Sequence, residues 1–297
     1  MISSIVVFFL LEFNLSGIQC RLSSMDYTNY TMATDDKARL FQDIERHKEG
    51  IYVLLHELVA AVPQHVHSQG HILVVLDGVA TINVERSDYY IPNGYFVWIP
   101  SGVPHRISFE GKRVRFLNIY YPAGMKMAPF YQRVGVYPMT SILYHTIELV
   151  KEHTDEYDSD DWRFELMVTL NHILPHTIQN QKFQLRLPTT DHPMGMKIME
   201  AVHQNYQRQF TAEELAQEVG LSVRSLSRYV RNELDVSLVQ YVRIYRVIMA
   251  IKQMVKGDES ITNIAYNVGY ESLTAFSNAF YKVTGCRPSQ FLKEGEK

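Results

Sequence analysis

The sequence predicts a multidomain α+β protein. It has an N-terminal antiparallel β-barrel, a helical segment suited to dimerisation, and a C-terminal all-α domain of two helix-turn-helix units joined by a long linker helix. Three observations carry this prediction. Short β-branched and aromatic runs recur from about Ile51 to Tyr121 with no helical pattern between them. The period then changes to that of amphipathic helices. From Met194 onward one helical pattern occurs twice, about 50 residues apart.

Composition sets the bounds. A chain of 297 residues, 46% hydrophobic and 21% charged, can bury ordinary globular cores in about two domains. The net charge of −3 gives no global sign of nucleic acid, but its distribution is uneven. From Pro193 to the end there are 13 Lys+Arg against 11 Asp+Glu, and in the remainder 16 against 21. A mildly basic tail beside an acidic front is compatible with nucleic-acid binding and too weak to argue it. Cys20 and Cys286 are the only cysteines. That excludes a disulfide framework and a Cys-rich zinc module, and fits a reducing cytoplasm.

Residues 1–31 read as a leader. "MISSIVVFFLLEF" is apolar from Ile5 to Leu11 but lacks a basic n-region, and Glu12 interrupts it well short of a membrane span. Met25 or Met32 is the expected working start. Within 32–130 the runs "IYVLLHELVA", "HILVVLDG", "VATINVE", "YYIPNGYFVWIP" and "VRFLNIYYP" are punctuated by Gly, Pro or Asp-Gly, as in an antiparallel sandwich or barrel. Within 131–185, Ile142, Leu143, Ile147 and Leu149–Val150 fall at helical spacing, followed by Trp162, Leu166, Leu170 and Leu174. Asp160 or Asp161 can cap the second helix. The polar stretch 175–192 reads as a linker, and 186–297 as the helical domain.

The repeat aligns "LAQEVGLSVRSLSRYVRNELD" (Leu215–Asp235) with "IAYNVGYESLTAFSNAFYKVTG" (Ile264–Gly285). In each copy a small residue, Ala216 or Ala265, admits a second helix. A glycine, Gly220 or Gly269, supplies the turn. A serine, Ser222 or Ser272, starts the next helix as its cap. Thr211-x-x-Glu214 is a capping box for the first copy. Ser237 to Lys256 reads as the long helix between them.

Over about Phe210 to Leu292 this pattern resembles the AraC/XylS family of transcription regulators, most closely in "ITNIAYNVGYESLTAFSNAFYKVTGCRPSQF". Val230 stands where an aromatic is usual, Asp235 where Gly is usual, and Asn278 where Arg is common. The resemblance implies that the second helix of each unit lies in a DNA major groove. It implies a cytoplasmic, sequence-specific activator that binds double-stranded DNA, works as a homodimer, engages RNA polymerase and needs no membrane. With Leu226, Tyr229 and Val230 facing inward, the candidate DNA contacts of the first copy are Ser222, Val223, Arg224, Ser227, Arg228 and Arg231. With Ala275, Phe276, Ala279 and Phe280 inward, those of the second are Ser272, Leu273, Thr274, Ser277, Asn278 and Lys282. Arginine suits guanine O6/N7, asparagine suits adenine, Leu273 can meet a thymine methyl, and Lys282 a phosphate. The plainer alternative is that Arg224, Arg228 and Arg231 form a solvated face.

In the front half, "PQHVHSQGH" gathers His65, His67 and His71 within seven residues. His65-x-His67, then His71 and Gly78, together with Gly94, Pro100-x-Gly102 and His105, resemble the two motifs of a cupin sensor domain. His71 stands where Glu is usual, and Phe109 where a trailing Asn is usual. Strand alternation points His65 and His67 to one side. The resemblance implies a small-molecule effector site of His65, His67, His71, Tyr90, Trp98 and His105, with Phe96 nearby. It also implies a candidate divalent metal, zinc, nickel or iron, on His65, His67, His71 and His105, because imidazoles suit these ions better than hard oxygen-seeking ones. A metal-free pocket with no required cofactor stays open beside it. The expected function is regulation and not catalysis; the alternative is a metal-dependent cupin enzyme or metal sensor fused to a DNA-binding domain.

Overall fold

Two antiparallel sheets account for the alternating front half. The computed structural model describes residues 44–295 except 48, 112, 126–127, 153 and 179–184, so the expected leader lies outside the described residues. Strands β1 (Ile51–Leu58), β2 (Val62–His65), β3 (Gly70–Asp77), β4 (Val79–Val84), β5 (Ser87–Pro92), β6 (Tyr95–Ile99), β7 (His105–Phe109) and β8 (Val114–Tyr121) follow one another closely. β9 (Gly135–Pro138), β10 (Glu156–Tyr157) and β11 (Arg186–Pro188) join from beyond residue 130. One sheet has the order β10-β1-β8-β3-β6-β9, the other β11-β5-β4-β7-β2.

The two sheets do not close into the expected barrel. β10 is only two residues long, and the pairing of β2 with β7 breaks register between Val62 and His65, so neither ladder runs on into the other.

β3 and β8 are apolar almost throughout because both faces are covered. Leu73, Val75 and Phe116 face the interior between the sheets. Ile72, Val74, Leu117 and Ile119 face two helices, α1 (Ser141–Val150) and α2 (Trp162–Thr177), which return Leu143, Ile147, Val150, Met167, Leu170 and Leu174. Thr140 caps α1 and Asp161 caps α2. Trp162 sits at the first turn of α2 and is 63% exposed, outside the apolar face the spacing assigned to it.

The helical domain follows as α3 (Pro193–Asn205), α4 (Ala212–Val219), α5 (Val223–Leu234), α6 (Leu238–Lys256), α7 (Ile261–Asn267), α8 (Leu273–Thr284) and α9 (Pro288–Gly295). The expected caps are present: Thr211 and Glu214 form a capping box on α4, Ser222 caps α5, and Ser272 caps α8. Asp235, where the family pattern has Gly, adopts the left-handed conformation that ends α5. No helix among the described residues is long and apolar enough to cross a membrane.

Arg246 on α6 locks the two helix-turn-helix units together. Its buried guanidinium donates to the carbonyls of Tyr206 and Arg208, both at 2.8 Å, and lies 5.4 Å from the Tyr270 ring centroid. Gly269 lets the chain approach this knot. A Cβ there would stand 2.4 Å from the Tyr206 oxygen and 2.8 Å from Arg246 Nη2. Gly220 is equally left-handed, at φ 77°, but has nothing within 4 Å of such a Cβ.

The two glycines therefore separate strain from crowding. Gly220→Ala is expected to cost about 1–2 kcal/mol, the left-handed penalty alone. Gly269→Ala is expected to cost about 3 kcal/mol or more by adding overpacking. Denaturant unfolding of both variants checks this, and equal losses would contradict it.

Candidate functional site

Two sites stand out, one on each half. On α5, Arg224, Ser227, Arg228 and Arg231 are exposed along the face opposite buried Leu226, Val230 and Leu234. Val223 is half-buried against the core and does not project with them. On α8, Leu273, Thr274, Asn278 and Lys282 are exposed and Ser277 is half-buried. Ala275, expected to face inward, is exposed: burial follows Phe276, Ala279, Phe280 and Val283, which leaves Ala275 off the stripe. The Ser222 and Ser272 hydroxyls accept the N–H groups of Ser225 and Ala275 at 3.2 Å. Sequence spacing missed Arg287, whose guanidinium donates to Ser277 Oγ and Asn278 Oδ1 from beyond the Gly285 turn.

The histidines converge at one end of the sandwich. His65 closes β2 and pairs across the ladder with His105, which opens β7. The Gly102 N–H donates to the His67 carbonyl at 3.1 Å, tying the second motif to the first. Ring centroids lie 4.2 Å apart for His65–His105, 5.2 Å for His67–His105 and 4.9 Å for His67–His71. Ring nitrogens of His65, His67 and His105 all lie within 4.8 Å of one another. His71 stands alongside that group, 1% exposed and stacked on Tyr120 at 4.9 Å.

Each of the three rings is oriented by its own backbone. The Nδ1 atoms of His65, His67 and His105 contact the carbonyl oxygens of Pro63, Gln69 and Val103 at 2.9, 2.8 and 2.9 Å. A carbonyl only accepts, so each Nδ1 carries the hydrogen and each Nε2 keeps its lone pair. Nε2 of His67 and of His105 is buried without a hydrogen-bond partner. Burial lowers the pKa of His67 to about 4 and of His105 to about 3, and holds His71 well below the ordinary value. Burial also lowers His65. The cluster is a neutral, electron-donating set.

Tyr90 and Trp98 are not brought to the histidines. Trp98 lies on the helix-facing side of β6 with Phe96, and its indole N–H donates to the Tyr131 carbonyl at 2.7 Å. Tyr90 packs at the junction with α6, where the Lys252 ammonium lies 5.1 Å from its ring centroid. Tyr120, His56 and Asn118 are the residues that sequence reasoning missed. His56 pairs with Phe116, and alternation from Phe116 to Asn118 and Tyr120 puts all of them on the interior face. His56 Nε2 and Asn118 Oδ1 are buried without partners, and burial lowers the His56 pKa to about 4. The strands carry this information only through their register, which the sequence does not state.

The two halves meet through β11, which pairs with β5. In the turn between β4 and β5, Arg86 Nη2 donates at 2.9 Å to Thr190 Oγ1, to the Glu233 carbonyl and to the Glu233 carboxylate. Thr190 Oγ1 donates to the same carboxylate at 3.0 Å. The hydrogen bond from Thr190, and then the one from Arg86, hold the Glu233 carboxyl below the usual carboxylate range. Lys252 of α6 also pairs with Glu110, and Tyr95 stacks on Phe291 at 5.3 Å.

Comparisons with known proteins follow the same division. The Helix-turn-helix domain family matches residues 215–294 and the Cupin domain family matches residues 56–120. The chain is 27% identical over 230 residues to the HTH-type transcriptional regulator NimR of Escherichia coli, a match covering 77% of this chain and 82% of that one. It is 29% identical over 86 residues to the HTH-type transcriptional activator RhaS of Mannheimia succiniciproducens, covering 29% and 32% respectively. The structure of ToxT from Vibrio cholerae aligns with 82% of this chain and 98% of its own, at 12% identity and a TM-score of 0.35.

Arg228→Ala is expected to weaken operator binding by about 1–3 kcal/mol and to relax preference at one base pair. A footprinting titration with unchanged affinity and preference would remove Arg228 from the reading face.

Proposed function

We propose that this AraC-family transcription regulator, with its cupin-like sensor and helix-turn-helix DNA-binding domain, is a cytoplasmic activator that works as a homodimer with RNA polymerase. Its effector is a small molecule held in the sandwich interior beside the histidines. The observation that carries this reading is the set of three imidazoles with Nδ1 tethered to backbone carbonyls and ring nitrogens within 4.8 Å of one another.

That donor set fits a metal ion. His65, His67 and His105 would hold it through nitrogen, and neutral nitrogen donors favour zinc, nickel or iron over magnesium or calcium. When bound, the ion would supply a Lewis-acidic position for an oxygen or nitrogen of the effector. His71 and Tyr120 flank that position. His56 and Asn118 offer unpartnered polar atoms on the same interior face, which an effector's polar groups would satisfy.

The five-stranded sheet supports a route from this site to DNA. It starts at β2 with His65, passes through β7 with His105, β4 and β5, and ends on β11. The β4–β5 turn holds Glu233 on the last turn of α5. An effector that alters this sheet would shift the DNA-reading helix. By linkage, DNA would shift effector affinity by the same factor. Leu149 and Trp162, 58% and 63% exposed, leave apolar surface on α1 and α2 for a second copy.

A second reading draws on the same three histidines: a metal-dependent cupin enzyme or a metal sensor. The DNA-binding domain and the regulator relatives favour sensing over turnover.

Elemental analysis of the purified chain, beside thermal unfolding with and without chelator, tests the site. About one metal per chain is expected, with a lower unfolding temperature after chelation, and His67→Ala should abolish both effects. Metal-free protein that responds to neither chelator nor zinc would leave the histidines as lining of a metal-free pocket.

A further inference from the structure

Arg287 occupies a position that its own side chain does not serve. The Gln290 and Phe291 N–H groups donate to the Arg287 carbonyl at 2.9 and 3.0 Å, so Arg287 is the N-cap residue of α9. N-caps favour Ser, Thr, Asp or Asn, whose oxygens accept the free N–H groups of the first turn. A guanidinium accepts nothing. Here Gln290 turns back to accept the Arg287 N–H through Oε1 at 2.8 Å, supplying one half of a capping box.

The Arg287 side chain crosses to α8 instead. Nη1 donates to Asn278 Oδ1 at 2.9 Å and to Ser277 Oγ at 3.2 Å. The guanidinium carbon lies 5.0 Å from the Tyr281 ring centroid, a cation–π contact. Ser277, Asn278 and Tyr281 lie within about one turn of α8, so the guanidinium is held there by two hydrogen bonds and a ring contact.

We propose that Arg287 is a specificity-determining residue of the second DNA-reading helix, turning the Asn278 amide so that this position reads guanine and not adenine. The inference rests on the reading of α8 as a base-contacting helix. Because a guanidinium has donors only, the amide must direct Oδ1 toward it and Nδ2 outward. Bidentate pairing with adenine needs the amide oxygen free to accept from N6 while the amide nitrogen donates to N7. Arg287 takes one lone pair of Oδ1 and sets a cationic donor beside the place where adenine's N6 donor would sit, so the surface there is dominated by the donors Asn278 Nδ2 and the remaining Arg287 N–H groups. Guanine presents two acceptors, N7 and O6, in the major groove and matches that pattern.

The test selects binding sites from a randomised double-stranded DNA library with the full chain and with Arg287→Ser and Asn278→Ala. Titrations of the selected duplex and its single-base variants follow. Wild type is expected to select guanine at one position of the half-site read by α8. Arg287→Ser, which places a capping hydroxyl at the same N-cap, is expected to move that position toward adenine by about 10-fold. Other positions and the unfolding temperature should hold. Asn278→Ala is expected to flatten the same position. Adenine at that position in the wild type would overturn the proposal. So would an Arg287→Ser protein that loses affinity equally for all sequences, the signature of a phosphate contact. If Asn278→Ala flattens one position and Arg287→Ser leaves it unmoved, Arg287 alone loses its role. If Asn278→Ala changes no position, α8 does not read bases there and both readings fall.

Discussion

The pairing of β11 with β5 is the constraint on which the rest of the structure depends. It takes the chain leading into the DNA-binding domain and makes it the edge of the sensor's own sheet. It joins contacts that already bring the halves together, Lys252 to Glu110 and Tyr95 to Phe291, and it gives the sheet that carries His65 and His105 a direct edge beside α5. With it, Arg86 and Thr190 close over Glu233 from the turn beside that edge. Each of these contacts is modest, since Arg86 is largely exposed and exposed ion pairs contribute about 0–1 kcal/mol. These polar contacts overlie a continuous apolar core that joins Ile91, Tyr95 and Leu187 to Tyr241, Ile244 and Ile248.

Buried polarity divides the molecule by purpose. Arg246 is a buried charge whose donors meet carbonyls and whose face meets an aromatic ring, so it serves as a fastener between helix-turn-helix units. The histidines at the other end are buried with Nε2 of His67 and His105, and Nδ1 of His71, left without partners. Unpartnered buried polar atoms are costly and uncommon in a finished core. Their concentration around one end of the sandwich is the feature on which the proposed ligand site rests.

The helical half was largely legible in the sequence because its signals are local. Caps at Thr211, Ser222 and Ser272, turns at Gly220 and Gly269, and the repeat itself depend on neighbours within a few residues. The histidine cluster was partly legible because His65, His67 and His71 fall within seven residues, although β2 ends at His65 and strand alternation does not place His67. Tyr120, His56 and Asn118 were not, because the register of β1 and β8 brings them in. Trp98 was misplaced because β6 is covered on both faces, which removes the alternation that would have shown which side it takes. Arg287 was hidden because its partners lie on another helix, and β11 because a three-residue edge strand inside a polar stretch has no periodicity to read.

The most direct test of the account is the affinity of the full chain for its selected operator duplex, measured with zinc bound and after chelation. The account predicts that filling the three-histidine site changes the dissociation constant by about 5- to 150-fold, the usual range of coupling between sites. An identical dissociation constant in protein shown to hold the metal would contradict it, leaving the histidines without influence on the DNA-reading helices.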